Sequence, residues 1–412
     1  MRRWLAARRS KSVAGVALFA AVGLVASGAT VVPAAAHDRS GNHRFGHDHH
    51  GYRGRGHGGG GYGQFTNTVF ASGSTIMHPG PSGPEAISQP DDITYMDGHI
   101  FAAFQNGIGP QGQPSMTGNT ASTVVEFNRR GDAVDQWDIV GHCDGLTADP
   151  AIHRVIATVN EDANSSLFTI DPHGGGSGSV VQYSYNDNPL PSNGGTDAIS
   201  IYHGMILISA SAPGTVGAPA PQPTYPAVYR VTLNSATDVA TVQPLFYDED
   251  SATVANANSA QYGSTVSLAL TDPDSNEVVP FYARRFAGDF MLTSQGDKQQ
   301  IFVRDAGTRH QSLSVLNLSD SVDDTAWPSD RHGAIFTTDN SNDTINEITG
   351  PFYAGQVFVA DTPCDANDAP ATCPAPGFPP NFLGQLNPFT GTITPVALQG
   401  PAVEPQGMLF LP

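Results

Sequence analysis

Asp144-Gly145-Leu146-Thr147 is one of four short stretches that decide the fold predicted for this chain of 412 residues. Each stretch has an Asp, one variable position, an apolar residue and, in most copies, a hydroxyl residue. The other three are Asp91-Asp92-Ile93-Thr94, Asp197-Ala198-Ile199-Ser200 and Asp324-Thr325-Ala326-Trp327. Three of the four are followed, after a short turn, by a Gly and an apolar segment, as in Gly204-Met205-Ile206-Leu207-Ile208. Strand-like copies that recur at a period of about 40–50 residues predict a β-propeller.

Further strands recur within each copy. Ser166-Leu167-Phe168-Thr169-Ile170 is the third strand of the copy that begins at Asp144, and Val180-Val181-Gln182-Tyr183 is the fourth. In the copy that begins at Asp324, the second strand is expected at Gly333-Ala334-Ile335-Phe336. Four strands are the unit of a propeller blade, so each copy is predicted to form one blade.

Two weaker copies complete the series, and six copies then account for the chain. They are Ser264-Thr265-Val266-Ser267, with Ser in place of Asp, and Gln406-Gly407-Met408-Leu409. The prediction is an all-β protein, a β-propeller of six four-stranded blades. A count of seven blades is an alternative, because residues 344–360 contain an extra strand pair. The segment Phe65–Thr75 is expected to complete the final blade, since a ring must hide its edges.

The first residues are typical of an export signal. Five basic residues precede the apolar run 13–32: Arg2, Arg3, Arg8, Arg9 and Lys11. Ala34-Ala35-Ala36 then fits a small-residue cleavage site. Residues 1–36 are therefore predicted to be a signal peptide, and the protein to be secreted without membrane insertion after cleavage.

Residues 37–64 are rich in His and Gly and too poor in apolar side chains to fold, so they are predicted to be a disordered arm. The single propeller domain then spans residues 65–412. The arm histidines could chelate Zn, Cu or Ni. A solvated linker with incidental metal affinity is an equally open interpretation.

Composition limits the partners. The chain has 19 Lys and Arg residues against 38 Asp and Glu residues, a formal net charge of −19. Nucleic acid and anionic membranes require clustered positive charge, so both are excluded as predicted partners. Of the three cysteines, Cys364 and Cys373 lie in one loop and are predicted to form a disulfide. Cys143 is predicted to be a buried free thiol.

The repeat rhythm resembles a known superfamily. The Asp-x-apolar-Thr stretches, the Gly turns and the segments Leu167–Pro172 and Leu383–Pro388 are similar to six-bladed propellers of the NHL, gluconolactonase (SMP-30) and virginiamycin B lyase type. They also resemble a group of secreted proteins of unknown function in high-GC Gram-positive bacteria. The resemblance implies the propeller fold. It assigns no catalytic residue, because no catalytic motif of those enzymes can be placed on this sequence.

The repeated aspartates predict a cation site. In a propeller the first strand of each blade lines the central channel, so the aspartates that begin the four stretches should surround one channel mouth. Crowded carboxylates require protons or a cation, and oxygen ligands suit Ca²⁺ or Mg²⁺. The predicted metal ligands are Asp91, Asp144, Asp197 and Asp324. The alternative is that each aspartate hydrogen-bonds the backbone of its own turn.

Catalytic and binding residues are expected beside these ligands. Glu161 or Asp162 is the candidate general base, and His142 is a candidate acid or base. Amides in the neighbouring turns are predicted to bind substrate: Asn106, Asn160 and Asn340.

Three functions are left open. The first is a secreted, monomeric propeller that binds a small molecule or glycan at the mouth, with or without hydrolysis or elimination that depends on a divalent cation. The alternative is a non-enzymatic propeller that binds extracellular protein or cell wall, or metal capture by the arm. No GxSxG, HExxH, P-loop or GxGxxG motif is present.

Overall fold

The structure is a computed structural model that describes residues 64–174, 179–191, 194–211, 224–364 and 379–412. These residues belong to one compact unit, Gly61–Pro412. The predicted signal peptide, the His-rich arm and Cys373 lie outside the described residues, so the disulfide from Cys364 to Cys373 stays a prediction. Among the described cysteines, Cys143 is buried and free, in line with its predicted state.

Strands dominate the described part of the chain. In chain order they are β1 (Phe65–Ser72), β2 (Met77–Gly80), β3 (Gly83–Ala86), β4 (Pro90–Met96), β5 (His99–Phe104), β6 (Ala121–Phe127), β7 (Ala133–Val140), β8 (Cys143–Asp149), β9 (Arg154–Val159), β10 (Ser166–Ile170), β11 (Val180–Tyr185), β12 (Ile199–Tyr202), β13 (Met205–Ser209), β14 (Pro226–Asn234), β15 (Val239–Tyr247), β16 (Ser251–Val254), β17 (Thr265–Ser267), β18 (Pro273–Val278), β19 (Phe290–Ser294), β20 (Gln299–Arg304), β21 (Ser312–Asn317), β22 (Val322–Ala326), β23 (Ala334–Asp339), β24 (Thr344–Thr349), β25 (Phe358–Asp361), β26 (Phe382–Leu386), β27 (Ile393–Pro395), β28 (Leu398–Gln399) and β29 (Met408–Leu411). Gly73–Thr75 and Asn340–Asn342 form short 3-10 helices.

The residue types explain why these segments are strands. The middle strands are rich in β-branched and aromatic side chains, which favour the pleated conformation. β9 is buried from Val155 to Val159, as expected for a strand that packs on both faces. β7 is exposed over its first three residues and alternates at its end, where Trp137 and Ile139 are buried. The burial pattern therefore distinguishes inner strands from outer ones.

Of the 29 described strands, 24 form six antiparallel units of four, and parallel pairing of β11 with β15 joins the second and third units in one sheet. The orders of the six units, from the innermost strand outward, are β4-β5-β6-β7, β8-β9-β10-β11, β12-β13-β14-β15, β18-β19-β20-β21, β22-β25-β26-β27 and β29-β23-β24-β1. The innermost strands are neighbours in the order β4, β8, β12, β18, β22 and β29, and β29 contacts β4 again. The six innermost strands thus form a closed ring, and the predicted β-propeller class is confirmed.

The last unit joins the two ends of the described chain. β1 pairs antiparallel with β24, from Thr66 opposite Thr349 to Ser72 opposite Thr344. β29 pairs with β23 in the same sheet. The prediction that the N-terminal segment completes the final blade is therefore confirmed. This arrangement covers the outer edge of β24.

Gly333–Phe336 was expected to follow the Asp324 stretch as the second strand of the same blade, and this is wrong. β22 pairs with β25 instead, with Thr325 opposite Val359. β23 pairs with the C-terminal strand, with Ala334 opposite Leu411. The hairpin β23-β24 therefore crosses to the last unit, which accounts for the extra strand pair between Asp324 and the end of the chain.

The weak copy at Ser264 was also misplaced. β17 lies at the outer edge of its sheet, in the order β17-β16-β21, and Thr265 and Ser267 are exposed. The innermost strand of that unit is β18, which contains Asp274. The repeat is hard to see there because Asn276 replaces the apolar residue. Asn276 is buried and donates from Nδ2 to the Ala198 carbonyl at 2.6 Å and to Ser209 Oγ at 2.8 Å.

Apolar cores fill the spaces between neighbouring units. Phe101 and Trp137 of the first unit pack in one cluster with Val155 and Phe168 of the second. Another cluster joins Phe336 of the last unit to Phe104 of the first. Burying one such aromatic side chain contributes roughly 2–3 kcal/mol. These cores hold the innermost strands in place around the channel.

Candidate functional site

Carboxyl groups surround one end of the central channel. Five aspartates occupy equivalent positions at or near the start of five innermost strands, and Gln406 takes the sixth position. They are Asp91, Asp144, Asp197, Asp274 and Asp323. With Glu161 and Asp272 they line a polar cavity of about 250 Å³, here called the channel mouth. The same five aspartates also line an adjoining cavity of about 190 Å³ in the channel.

The mouth lacks compensating positive charge. Among the described residues that line these two cavities none is Lys or Arg, and His142 is the one side chain that can become a cation. Burial raises the pKa of Asp91 well above its ordinary value, and the neighbouring carboxylates Asp144 and Asp323 raise it further. The pKa of Asp197 is raised by burial first and then by Glu161. Protons or a cation must therefore neutralise part of this charge.

Asp323 occupies the ring position that was predicted for Asp324. Asp324 accepts a hydrogen bond from Thr325 N at 2.7 Å through Oδ1 and one from Met408 N at 2.6 Å through Oδ2. Burial raises the pKa of Asp324 to about 7, although these two bonds oppose the shift. Its carboxylate joins two neighbouring innermost strands, which is a structural role. Metal binding by Asp324 stays a prediction.

Asp92 makes the same connection between the first two units. It accepts from Ile93 N through Oδ1 and from Leu146 N through Oδ2, both at 2.6 Å. The alternative proposed for the repeat aspartates, a bond to the backbone of their own turn, thus applies to Asp324 and its counterpart Asp92.

Three residues meet on one side of the mouth. His142 Nε2 lies 2.9 Å from Asp144 Oδ1 and 3.8 Å from Glu161 Oε1. One ligand atom of each residue lies within 4.8 Å of the other two, which is close enough for all three to hold a single metal ion. The structure therefore brings together two predicted catalytic residues and one predicted metal ligand.

The backbone fixes the orientation of His142. Its Nδ1 lies 2.6 Å from the Ile108 carbonyl oxygen, which can only accept, so Nδ1 carries a hydrogen and Nε2 faces the carboxylates. Asn160 Oδ1 accepts from His142 N at 2.9 Å, and Asn160 N donates to the His142 carbonyl at 2.7 Å. The turn after β9 therefore holds the imidazole against Asp144.

Asp144 is the less exposed of the two carboxylates in this cluster, with 7% of its side chain exposed against 33% for Glu161. Gln105 Nε2 donates to Asp144 Oδ1 at 3.0 Å. Oδ2 is buried and has no hydrogen-bond partner among the described residues. A buried acceptor oxygen without a donor is costly, and a cation would remove that cost.

Burial shifts the pKa values of all three groups. Burial raises the pKa of Asp144, with a further contribution from Glu161, while burial lowers the pKa of His142. Burial also raises the pKa of Glu161 to about 7, and His142 opposes that shift. Because the lone pair on a neutral Nε2 would face Asp144 Oδ1 at 2.9 Å, one proton lies between these two atoms. Glu161 can exchange a proton in the neutral range, as general acid–base catalysis requires.

The predicted substrate-binding amides separate into two groups. Asn340 lines the mouth and donates from Nδ2 to Gln105 Oε1 at 3.3 Å. Asn106 is used internally: Oδ1 accepts from Ser88 N at 3.0 Å, and Nδ2 donates to the Ala121 carbonyl at 3.0 Å. Asn160 also bonds nearby backbone groups: its Oδ1 accepts from His142 N, and its Nδ2 donates to the Asn164 carbonyl. The amides of Asn106 and Asn160 therefore stabilise turns, and substrate binding by these two residues stays a prediction.

Both of these Asn residues have positive φ, at 56° for Asn106 and 66° for Asn160. This left-handed region favours Asn, whose amide can bond the local backbone. Asp162 is not among the residues that line the mouth, and its N–H donates to the Pro110 carbonyl at 3.1 Å. Of the two predicted general bases, Glu161 alone lies at the mouth.

Four residues that line the mouth were not predicted from the sequence: Asp272, Asp274, Gln295 and Asp323. Asp323 was missed because two aspartates are adjacent and Asp324 fitted the repeat better. Asp272 and Asp274 were missed because the apolar position of their copy is Asn276. The doubled Asp91-Asp92 is the signal that could have identified Asp323, since its first member lies at the mouth and its second bonds the backbone.

Among the described residues, no helix has the length and apolar character needed to span a membrane.

No protein-family model matches this sequence, and no curated protein matches it. Similar solved structures include a periplasmic gluconolactonase of Pseudomonas aeruginosa, PpgL, with 12% identity, a TM-score of 0.43, and coverage of 81% of this chain and 91% of that chain. A putative 6-phosphogluconolactonase of Bacteroides uniformis has 11% identity, a TM-score of 0.41, and coverage of 80% and 91%.

The β-propeller domain of Cps50 (Swd1) of Myceliophteria thermophila has 10% identity, a TM-score of 0.39, and coverage of 78% and 76%. At these values no activity can be carried over. The structural neighbours are gluconolactonase-like and other β-propeller proteins.

Proposed function

We propose that this protein is a secreted, monomeric hydrolase or lyase that uses Ca²⁺ or Mg²⁺ at the channel mouth to act on a small molecule or glycan. One observation supports this most strongly: seven carboxyl groups line a single polar cavity in which His142 is the one basic side chain. Such crowding is unfavourable unless a cation or protons neutralise it, and it is therefore unusual in a purely structural pore.

The residues present fit a hard divalent cation. Carboxylate and amide oxygens are the donors that Ca²⁺ and Mg²⁺ prefer, and they are supplied by several strands around the mouth. Asp144 is the central ligand, because its Oδ2 is buried without a hydrogen-bond partner. Asp197 and Asp91 line the same cavity and complete the oxygen-rich side. When bound, the cation supplies polarisation of a carbonyl and acidification of a water molecule.

The chain's own residues supply the proton transfers. Glu161 is the most exposed member of the cluster, and a pKa of about 7 lets it accept a proton from water or from a substrate C–H. His142, oriented by the Ile108 carbonyl, holds the proton that it shares with Asp144. Asn340 and Gln105, which line the mouth, can bond a substrate hydroxyl or carbonyl.

The charge of the mouth limits the substrate. Anionic molecules would be repelled by the surrounding carboxylates, and the whole chain has a formal net charge of −19. Neutral esters, lactones and uncharged glycans are therefore the preferred substrate classes.

The test is calorimetric titration of chelator-treated full-length protein with Ca²⁺ and with Mg²⁺. Asp144→Asn and Asp197→Asn are each expected to weaken binding at least tenfold. Asp135→Asn is the matched control, since Asp135 is exposed on β7 and the charge change is the same. Absence of binding in the unaltered protein, or equal affinities in all three variants, would reject the cation site.

Activity is tested separately on a panel of neutral lactones and esters. Glu161→Gln is expected to lower kcat about 10²–10⁴-fold, the usual contribution of a general acid or base. A cation-binding protein with no activity that depends on Glu161 would leave the mouth as a binding site and refute the enzymatic part of the proposal.

A further inference from the structure

A second cleft lies at the opposite end of the strands, where the fourth and fifth units meet. It has a volume of about 490 Å³ and is open to solvent; its walls include Arg284, Tyr353, Gln356, Gln385, Asn387 and Phe389. We call it the far cleft. Arg284 follows the end of β18, whereas Asp274 lies at its start, and Tyr353 precedes β25, whereas Asp361 ends it. The far cleft and the channel mouth therefore share no residue.

Two aromatic rings on its walls are exposed and held in place by arginines. Tyr353 is 45% exposed and Phe389 is 43% exposed. Arg284 Cζ lies 5.6 Å from the centre of the Tyr353 ring. Arg285 Cζ lies 5.4 Å from the Phe389 ring, and its guanidinium donates to the carbonyls of Pro388 and Ala255 at 2.9 and 2.6 Å. These contacts restrain both rings before any ligand arrives, which lowers the entropy lost on binding.

Amides and hydroxyls form much of the remaining wall. Gln356 Oε1 accepts from Tyr353 N at 2.8 Å, and Asn387 Oδ1 accepts from Phe389 N at 2.9 Å. The NH₂ groups of these two side chains have no hydrogen bond to a described residue, so they remain available as donors. Three threonines and Gln385 add further polar groups. The far cleft can therefore make many hydrogen bonds beside two apolar ring faces.

The charge of the far cleft is opposite to that of the protein. The chain has twice as many acidic as basic residues, 38 against 19, yet no Asp or Glu is among the described residues that line this cleft. No ion pair or hydrogen bond joins the Arg284 guanidinium to another described residue, and its Cζ lies over the Tyr353 ring. An unpaired arginine in an acid-free cleft favours a ligand with a carboxylate, which it can bind through two parallel bonds.

We propose that the far cleft binds an acidic glycan, a sugar chain that carries carboxylates. Sugar rings have apolar C–H faces, which suit Tyr353 and Phe389, and hydroxyl-rich edges, which suit the amides. Arg284 binds the carboxylate. The volume lies in the range of roughly 300–1,000 Å³ that is usual for such ligands. An acidic peptide suits the site less well, because its acidic side chains have no rigid ring face to pack against Tyr353 and Phe389.

The experiment is titration of the full-length protein with tetragalacturonate, with its fully methyl-esterified form and with tetraglutamate. Tetragalacturonate is expected to bind at least tenfold more tightly than the uncharged ester or the peptide. Arg284→Ala and Tyr353→Ala should each weaken that binding at least tenfold, and Tyr353→Phe should retain it. Arg309→Ala, at an exposed arginine in the turn after β20, is the charge-matched control and should bind normally.

The outcomes separate this site from the channel mouth. Asp144→Asn should leave tetragalacturonate binding unchanged, so failure of the cation site does not affect the result. Three results would overturn the proposal: no binding of tetragalacturonate, binding that Arg284→Ala does not weaken, or equal affinity for tetraglutamate. The last result would mean that the cleft recognises carboxylates without recognising sugars.

Discussion

At the scale of single residues, Glu161 gives the mouth a dependence on pH. Burial raises its pKa from an ordinary 4.5 to about 7, so the folded chain holds this proton more tightly than the unfolded chain does. The resulting stabilisation is complete below about pH 4.5 and is lost as the pH rises through 7. Burial shifts the pKa values of Asp91 and Asp197 in the same direction.

We therefore expect the metal-free protein to lose stability between pH 5 and pH 8. A shift of this size, reduced for solvent screening of the partly exposed Glu161, corresponds to about 1–3 kcal/mol. Urea unfolding at several pH values measures it. Glu161→Gln should reduce the loss and Asp135→Asn should not, while saturating Ca²⁺ should reduce it because the cation favours charged carboxylates. Stability that rises with pH in the metal-free protein would contradict the expectation.

At the scale of elements, the carboxylate of Asp324 joins β22 to β29. Asp324→Ala leaves the N–H groups of Thr325 and Met408 without their acceptor, and both residues are buried. The free energy of unfolding is expected to fall by about 2–4 kcal/mol. Asp323→Ala removes a neighbouring carboxylate without removing those two bonds, so its loss should be smaller. Thermal and urea unfolding of the two variants measure the loss of stability in each. Equal losses would contradict the structural role assigned to Asp324.

β1 closes the last unit, and its removal should be severe. Phe65 packs against Phe352 and Phe358, with ring centres 5.2 and 5.5 Å apart, and β1 covers the edge of β24. Deleting residues 64–72 is expected to cause aggregation, since the free edge and the apolar surface are then exposed. Deleting residues 37–63 is the control and should leave the melting temperature unchanged. Size-exclusion chromatography and thermal unfolding of both deletion variants measure aggregation and stability. If the protein without residues 64–72 were monomeric and stable, the role of β1 would be refuted.

Local patterns in the sequence were enough to identify the propeller and, outside the fourth unit, the position of a strand within a blade. They could not show which blade a strand joins. Gly333–Phe336 has the pattern of a second strand and is one, but its partner is Met408–Leu411, chosen by long-range pairing. The innermost strand β18 was not recognised from the sequence, because Asn276 occupies its apolar position and makes two buried hydrogen bonds there.

The candidate site, like the fold, could be predicted only in part from the sequence. Sequence position placed Asp144, Glu161 and His142 near one another, because the channel geometry follows from the repeat. It could not separate Asp323 from Asp324, since adjacent residues of a strand point to different surroundings. It also could not show that the amides of Asn106 and Asn160 are consumed by nearby backbone groups.

At the scale of the whole molecule, the chain offers two different kinds of metal ligand. The predicted arm, residues 37–64, supplies imidazole nitrogens, which suit Zn²⁺, Cu²⁺ and Ni²⁺. The channel mouth supplies mainly carboxylate oxygens, which suit Ca²⁺ and Mg²⁺. The two kinds of binding should therefore be separable in the same protein by changing one region at a time.

Deleting residues 37–63 is expected to abolish tight Zn²⁺ and Ni²⁺ binding and to leave the affinity for Ca²⁺ within twofold of the unaltered value. Asp144→Asn should do the reverse, because it removes the ligand oxygen that is buried without a partner and leaves the arm histidines untouched. Calorimetric titration of both variants with each ion provides the comparison. If deletion of the arm also abolished Ca²⁺ binding, the carboxylates of the mouth would be neutralised by protons alone, and the cation-dependent chemistry proposed for Glu161 and His142 would lose its basis.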